Sequence, residues 1–172
     1  LLLCSLLARA ELTIEITQGV DRPVPIAVVP FGWEGVQGLP ADVAQVVSDD
    51  LYRSGLFSLM ERENMLSFPS QSDQVYFRDW RLGGLEYLLT GRVLADPAAQ
   101  GYRVEYELYD VLKEQRLMGG FFGGSAKDLR RAAHRISDVV YEKLTGIKGA
   151  FSTSIVYVTA RKLGKDRFNY QL

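Results

Sequence analysis

The feature that most constrains the fold is the apolar run at residues 26–31, Ile-Ala-Val-Val-Pro-Phe, which precedes a segment of helical periodicity. Strands with a continuous apolar sequence are typical of sheets that are covered on both faces. Pro30 limits the run, because a proline has no N–H group to donate within a central strand. The run therefore predicts a central strand that is buried on both sides.

Two segments have the spacing of apolar residues that is typical of amphipathic helices. In residues 40–54, Pro40 suits a first helical turn, and Gly55 follows where a left-handed C-terminal cap is expected. A longer apolar stripe follows Ser125, which with Asp128 resembles a capping box, and this stripe ends at Gly146. These two segments predict the main helices of the domain.

The remaining periodic segments predict a sheet. A weaker helical pattern covers residues 73–82, and strand patterns occur at residues 57–60, 87–94, 102–111 and 117–122. Residues 87–122 have the turn signals of an antiparallel meander, whereas the preceding segments alternate strand with helix. This order predicts an α/β fold in which a mixed β-sheet is covered by two or three helices.

Composition limits the classes of function. A chain of 172 residues suits one domain at roughly 150 residues per domain. Its net charge of −1 argues against nucleic-acid binding, which usually requires a basic surface. Cys4 and His134 are the only cysteine and histidine, so we expect no disulfide, no metal site and no cofactor.

The first ten residues indicate export. An apolar run at residues 1–7 is followed by Ala8-Arg9-Ala10, the small-x-small pattern that precedes signal-peptidase cleavage. The run is too short for a transmembrane helix, which needs about 20 apolar residues. We interpret residues 1–10 as a signal-peptide remnant and predict a periplasmic protein without direct membrane insertion. The alternative is an apolar first strand or helix.

The next segment, residues 11–22, is predicted to be a mobile arm that binds a partner. Apolar and polar residues alternate in it, so it could add as a strand to the sheet edge of a partner. Gly19 and the two prolines of residues 23–25 favour mobility, but the segment could instead be the first strand of the domain's own sheet. The predicted partner-binding residues are Glu11, Leu12, Thr13, Ile14, Glu15, Ile16, Thr17, Gly19, Val20 and Asp21.

Residues 151–172 form a different unit. They contain strand-like runs at 154–159 and 168–172, joined through Gly164, and they are more basic than the residues before them. A lone two-stranded hairpin is only marginally stable in water, so we interpret this unit as the start of a larger β domain. The alternative is a terminal hairpin that pairs with the main sheet. Residues 23–150 then form the α/β domain.

The sequence contains no persuasive catalytic motif. His134 is predicted to be a solvated helix residue, and Asp49, Asp50, Arg130 and Arg131 to lie on ordinary helix faces. Glu105 and Glu107 share one strand face and could form a carboxylate pair of the glycosidase type, but alternation alone explains a charged, solvent-facing row. The glycine-rich segment 119–126 lacks the Lys and Ser/Thr of a phosphate-binding loop. We therefore predict no catalytic residues and no enzymatic activity.

The order of the segments carries a family resemblance. Segments 11–16, 25–31, 50–55, 87–93, 106–111, 133–138 and 144–151, taken together, resemble the TolB family, the periplasmic component of the Tol-Pal envelope system. Residues 155–158 look like the first strand of the family's β-propeller, so residues 151–172 would be the first hairpin of that domain.

The resemblance implies a non-enzymatic adaptor. Such an adaptor binds the protein TolA through its amino-terminal segment and the lipoprotein Pal through the propeller, and it supports outer-membrane integrity and invagination during cell division. Exported domains of the curli-export or lipoprotein-cofactor type have a related architecture. A domain that activates or assembles an envelope machine therefore remains the alternative.

Overall fold

The computed structural model describes residues 22–35, 37–97, 100–154, 158–164 and 167–171. Its central element is strand β1 (Val24–Val28), which pairs in parallel with two other strands. Ile26 and Val28 are buried against one layer of the core, whereas Ala27 and Val29 are buried against the other. The predicted central strand, buried on both faces, is confirmed.

The sheet is mixed, as predicted. Its other strands are β2 (Gly32–Trp33), β3 (Phe57–Leu59), β4 (Tyr87–Asp96), β5 (Gly101–Asp110) and β6 (Gln115–Gly124). The strands follow the spatial order β3-β1-β4-β5-β6, and β2 pairs with the far end of β4. β1, β2 and β3 run parallel to their neighbours, and β4, β5 and β6 form the antiparallel meander.

Two long helices cover one face of this sheet. They are α1 (Val43–Arg53) and α3 (Leu129–Thr145), and their apolar stripes pack on β1, β4 and β5. Gly55 and Gly146 have φ values of +72° and +73°, which confirms both predicted helix ends. Pro40 does not occupy the first turn of α1. Instead, the Asp42 side chain accepts a hydrogen bond from the backbone N–H of Gln45 at 3.0 Å and caps the helix.

The other face of the sheet is covered only in part. A segment of single turns and the short helix α2 (Phe77–Leu82) place Trp80 and Leu85 over β1 and the adjacent ends of β4 and β5. The rest of this face, on β4, β5 and β6, carries charged side chains. We refer to it below as the open face.

The terminal unit differs from its prediction. The structure describes β7 (Thr159–Gly164) and β8 (Arg167–Gln171) as an antiparallel pair in a separate two-stranded sheet. The predicted run at residues 154–159 overlaps β7 only at Thr159, since Ser154 and Val158 lie in irregular backbone, and Gly164, predicted as the connection, is the last residue of β7. Residues 155–157 lie outside the described part of the chain.

Candidate functional site

The predicted partner-binding segment lies outside the described residues. This holds for each of its members: Glu11, Leu12, Thr13, Ile14, Glu15, Ile16, Thr17, Gly19, Val20 and Asp21. The partner-binding role of these residues remains a prediction from the sequence. The described residues contribute three other arrangements of polar groups.

The first arrangement is an ion-pair network on the open face. Arg92 on β4 and Glu105 on β5 are cross-strand partners, so their side chains meet on the same side of the sheet. Arg92 Nε and Nη2 both lie 2.8 Å from Glu105 Oε2, and Arg103 Nε lies 3.1 Å from Glu105 Oε1. Glu105 is therefore held between two guanidinium groups.

The same face continues towards the opposite end of β5. Arg116 Nε lies 2.8 Å from Glu107 Oε1, and the Tyr109 hydroxyl donates a 2.6 Å hydrogen bond to Glu107 Oε2. Burial, together with the hydrogen bond to Glu107, raises the pKa of Tyr109 far above its usual value. The two glutamates thus lie in a charged row on this face, as predicted, but each is only 27% exposed and has charged or hydrogen-bonding partners.

The arginines and glutamates of this row line a shallow cleft of about 300 Å³, which also includes the loop at residues 70–72. Phe121 on β6 is more than half exposed, and the guanidinium carbon of Arg103 lies 3.8 Å from the centre of its ring. Three arginines face two glutamates in the cleft, so a positive charge remains in excess. The excess positive charge favours the binding of acidic groups in the cleft, and the pairing of both carboxylates with arginine argues against hydrolysis by a carboxylate pair.

The second arrangement joins the two long helices. Asp50 on α1 is only 4% exposed, and its Oδ2 atom lies 2.7 Å from His134 Nδ1 and 2.8 Å from Ser137 Oγ on α3. Arg53 Nη2 donates to the other carboxyl oxygen at 3.2 Å. The prediction that His134 is a solvated surface residue is wrong, because its side chain is only 21% exposed.

This cluster resembles a catalytic triad in composition but not in geometry. Ser137 and His134 both contact the same oxygen of Asp50, and Ser137 Oγ also lies 3.1 Å from the carbonyl of Ala133. In a triad the imidazole contacts the hydroxyl and the carboxylate through different nitrogens. The cluster therefore links two helices rather than activating a nucleophile.

The sequence contained a signal for this link that was missed. Asp50 falls on the apolar stripe of α1, with Val43, Val46 and Val47, and Ser137 falls on the stripe of α3. A polar residue at a buried helical position needs a hydrogen-bonding partner from another element. Two such residues on neighbouring helices predict a contact between them.

The third arrangement holds the chain where it leaves α3. Asp138 accepts hydrogen bonds from the backbone N–H groups of Phe151, at 2.6 Å, and Ser152, at 3.2 Å. The Phe151 ring packs edge-on against Tyr141, with 5.5 Å between ring centres. These contacts fix the segment after Gly146 against the helix face. Asp138 carried no recognisable signal in the sequence.

The described part of the chain shows neither a metal-binding cluster nor a membrane-spanning helix. Within these ranges, no group of three or more His, Cys, Asp or Glu side chains has the geometry to hold a metal ion. None of the described helices has the length and apolar character that are needed to cross a bilayer.

Comparison with known proteins gives a consistent result. The family model described as the TolB amino-terminal domain matches residues 12–117. The Tol-Pal system protein TolB of Pseudomonas fluorescens SBW25 is 48% identical over 165 residues, which cover 96% of this chain and 38% of the relative. The corresponding protein of Pseudomonas aeruginosa PAO1 is 44% identical over 165 residues, with the same coverage of both chains. This chain thus spans less than two fifths of the length of these relatives.

A solved structure agrees with the sequence comparison. The crystal structure of TolB from Acinetobacter baumannii superposes with a TM-score of 0.65 at 35% sequence identity, over 80% of this chain and 32% of that chain. The mixed sheet with its covering helices is therefore shared with a solved protein.

Proposed function

This chain belongs to the family of TolB amino-terminal domains, and we propose that it acts as a non-enzymatic periplasmic adaptor of the Tol-Pal system. The observation that carries the proposal is the continuous similarity to Tol-Pal system proteins over 96% of the chain. The arginine-paired carboxylates of the open face and the helix-linking role of Asp50 support an adaptor rather than an enzyme.

We propose that residues 11–17 bind TolA by strand addition. Their period-two alternation would direct Leu12, Ile14 and Ile16 into the partner, while the backbone amides pair with the partner's sheet edge. In this proposal Gly19, Val20 and Asp21 complete the binding segment and connect it to β1.

Pal would be bound by the propeller that follows this domain in longer members of the family. Residues 151–172 would form the first hairpin of that propeller. The adaptor would connect the two partners and thereby support outer-membrane integrity and invagination during division. The contacts of Asp138 support this role, since they fix the chain segment that leads from the α/β domain into the next unit.

Deletion of residues 11–18 tests the proposed role of the amino-terminal segment. The measurements are TolA binding by calorimetry and the Tm of the domain. We expect TolA binding to be lost and the Tm to stay within a few degrees, because a free arm does not contribute to the core. A matched control retains the composition of the segment but scrambles its order, so that apolar residues no longer alternate, and it should also fail to bind. Retained TolA binding after deletion would reject the arm, and a large fall in Tm would identify the segment as a structural strand.

Export is tested separately. We propose cleavage after Ala10, so that Glu11 becomes the first residue of the mature protein in the periplasm. Mass spectrometry of the periplasmic fraction should give the mass that begins at Glu11. A mature protein that still contains Leu1 would contradict the proposal.

A further inference from the structure

Strand β6 forms one edge of the described sheet. It is the last strand in the order β3-β1-β4-β5-β6, and no strand pairs with its outer side among the residues that the structure describes. β6 is ten residues long, whereas β3 at the opposite edge has only three. A long edge strand presents a row of backbone donors and acceptors that another extended chain can pair with.

This edge lacks the usual protection against pairing. Natural edge strands are commonly blocked by lysine, proline or a bulge. The register irregularity between β5 and β6 lies at the start of β6, opposite Leu108 and Tyr109. Residues 118–124, Met-Gly-Gly-Phe-Phe-Gly-Gly, contain no charged residue and no proline, although the side chains of Arg116 and Asp128 lie beside Gly119 and Gly124. Along these seven residues the strand therefore carries no charged side chain, proline or bulge of its own that would block pairing.

The two faces beside this edge differ in chemistry. On the open face, Phe121 lies under the guanidinium of Arg103, and Arg116 extends over Gly119. Arg103 and Arg116 remain 43% and 53% exposed. On the helix-covered face, Met118 and Phe122 pack against the core. A strand added here would place alternate side chains beside arginines and beside apolar groups.

We propose that the β6 edge at residues 118–124 binds an extended segment of a partner protein in which acidic residues alternate with apolar residues. The acidic side chains would face Arg103 and Arg116, where arginines outnumber carboxylates, and the apolar ones would continue the surface of Met118 and Phe122. This site is separate from the proposed arm at residues 11–17. At the arm this chain supplies the added strand, whereas at the β6 edge it supplies the strand with which the partner pairs.

The test uses a blocked synthetic peptide, acetyl-Thr-Ile-Glu-Val-Glu-Ile-Thr-amide, titrated into the full chain and observed by backbone NMR. We expect shifts at the amides of residues 118–124. A peptide with lysine in place of both glutamates should bind at least about fivefold more weakly. One exposed ion pair contributes up to about 1 kcal/mol, which corresponds to about fivefold in affinity, and this peptide replaces both acidic residues. Of two peptides N-methylated at alternate residues, the one whose methylated amides face β6 should lose binding because it cannot complete the ladder, whereas the one whose methylated amides face solvent should retain binding.

A pair of variants tests the edge itself. Gly123 lies opposite Arg103, and a Cβ atom at this position would meet only the carbonyl oxygen of Tyr102, at 3.9 Å. Gly123→Glu would occupy Arg103 and repel an acidic strand, so peptide affinity should fall at least about fivefold. Gly123→Gln has the same size without the charge and should retain affinity. Circular dichroism checks that both variants fold. If one variant does not fold, the comparison of the acidic and lysine peptides still tests the proposal.

Several outcomes would overturn the proposal. These are equal binding of the acidic and lysine peptides, equal binding to both Gly123 variants, or shifts confined to other strands. Binding that appears only after deletion of residues 11–18 would identify that segment as the occupant instead of a partner. A concentration-dependent dimer formed through the same amides would identify a second copy of the chain and would also overturn it.

Discussion

Asp50 Oδ2 and His134 Nδ1 lie 2.7 Å apart, although 84 positions separate the two residues in the chain. The contact joins the buried faces of α1 and α3, and Ser137 adds a second bond to the same oxygen at 2.8 Å. A buried polar link of this kind is costly to break on one side, because the groups left behind lose their partners without gaining water.

We therefore expect Asp50→Ala to lower the free energy of unfolding by about 1–3 kcal/mol. The side chain of its neighbour Asp49 is exposed and accepts a hydrogen bond from Gln45 on the same helix, at 2.8 Å. Asp49→Ala should change the stability by less than about 0.5 kcal/mol. Urea denaturation of the two variants makes the comparison. Equal losses would show that the inter-helix link does not stabilise the domain.

The hydrogen bonds at the start of α3 should stabilise the protein less at acid pH than near neutral pH. The Ser125 hydroxyl and backbone N–H donate to Asp128 Oδ2 at 2.7 and 3.1 Å, and they hold the pKa of that carboxyl below its usual value of 3.8. A lowered pKa in the folded state stabilises the protein above the unfolded pKa, and this contribution is lost as the pH falls through the folded value. Ser125→Ala should therefore destabilise the protein at pH 6 more than at pH 2.5.

An NMR titration of the side-chain carboxyls checks this assignment. In Ser125→Ala the pKa of Asp128 should rise. The pKa of Asp110 is an internal control: burial opposes its ionisation, but hydrogen bonds from Lys113 keep its pKa below the usual value. Asp110 should titrate unchanged in the variant, and a parallel rise of both groups would indicate general unfolding instead.

Tyr109 should limit stability at alkaline pH. Burial and the bond to Glu107 raise its pKa in the folded state, so its contribution is complete below the unfolded pKa of about 10 and is lost as the pH rises towards the folded value. Unfolding free energies measured from pH 8 to 11.5 should fall above pH 10 in the natural sequence and fall less in Tyr109→Phe. Tyr76, which is 67% exposed, gives the matched control Tyr76→Phe. If the unfolding free energy of Tyr76→Phe falls as little above pH 10 as that of Tyr109→Phe, the prediction is wrong.

Asp138 should hold the exit segment in place. Asp138→Ala removes the acceptor of two backbone N–H groups, so we expect a loss of roughly 1 kcal/mol and faster proteolysis between Gly146 and Thr153. Glu142→Ala, on an exposed position of the same helix, is the control and should leave the cleavage rate unchanged. Identical cleavage patterns in both variants would show that other contacts fix the segment.

Gly149 provides an independent test of the same contact. A Cβ atom there would come within 2.5 Å of Asp138 Cα, whereas a Cβ atom at Gly38 would meet nothing within 4 Å. Gly149→Ala should therefore loosen the exit segment and lower stability, and Gly38→Ala should do neither. Limited proteolysis and thermal melts measure both effects. Equal Tm values for the two variants would argue against close packing at Gly149.

Much of the fold could be predicted from the sequence, because helices and hairpins depend on residues a few positions apart. The apolar spacing before Gly55 and Gly146 was sufficient for α1 and α3, since a helical stripe and a left-handed cap are both local. The meander of β4, β5 and β6 was predicted from alternation and turn residues alone. β2 was missed, because two residues have no measurable periodicity, and it exists only through its pairing with Arg92 and Val93.

The sequence by itself thus determined most of the elements, their order and the family. Only the tertiary structure decided which strands became neighbours, that no described strand pairs with the outer side of β6, and that Asp50 met His134 and Ser137. The physical reason is that each of these depends on contacts between segments far apart in the chain. Local periodicity predicts which side of a helix or strand is buried. Which other elements that side packs against depends on the packing of the whole sheet and its helices.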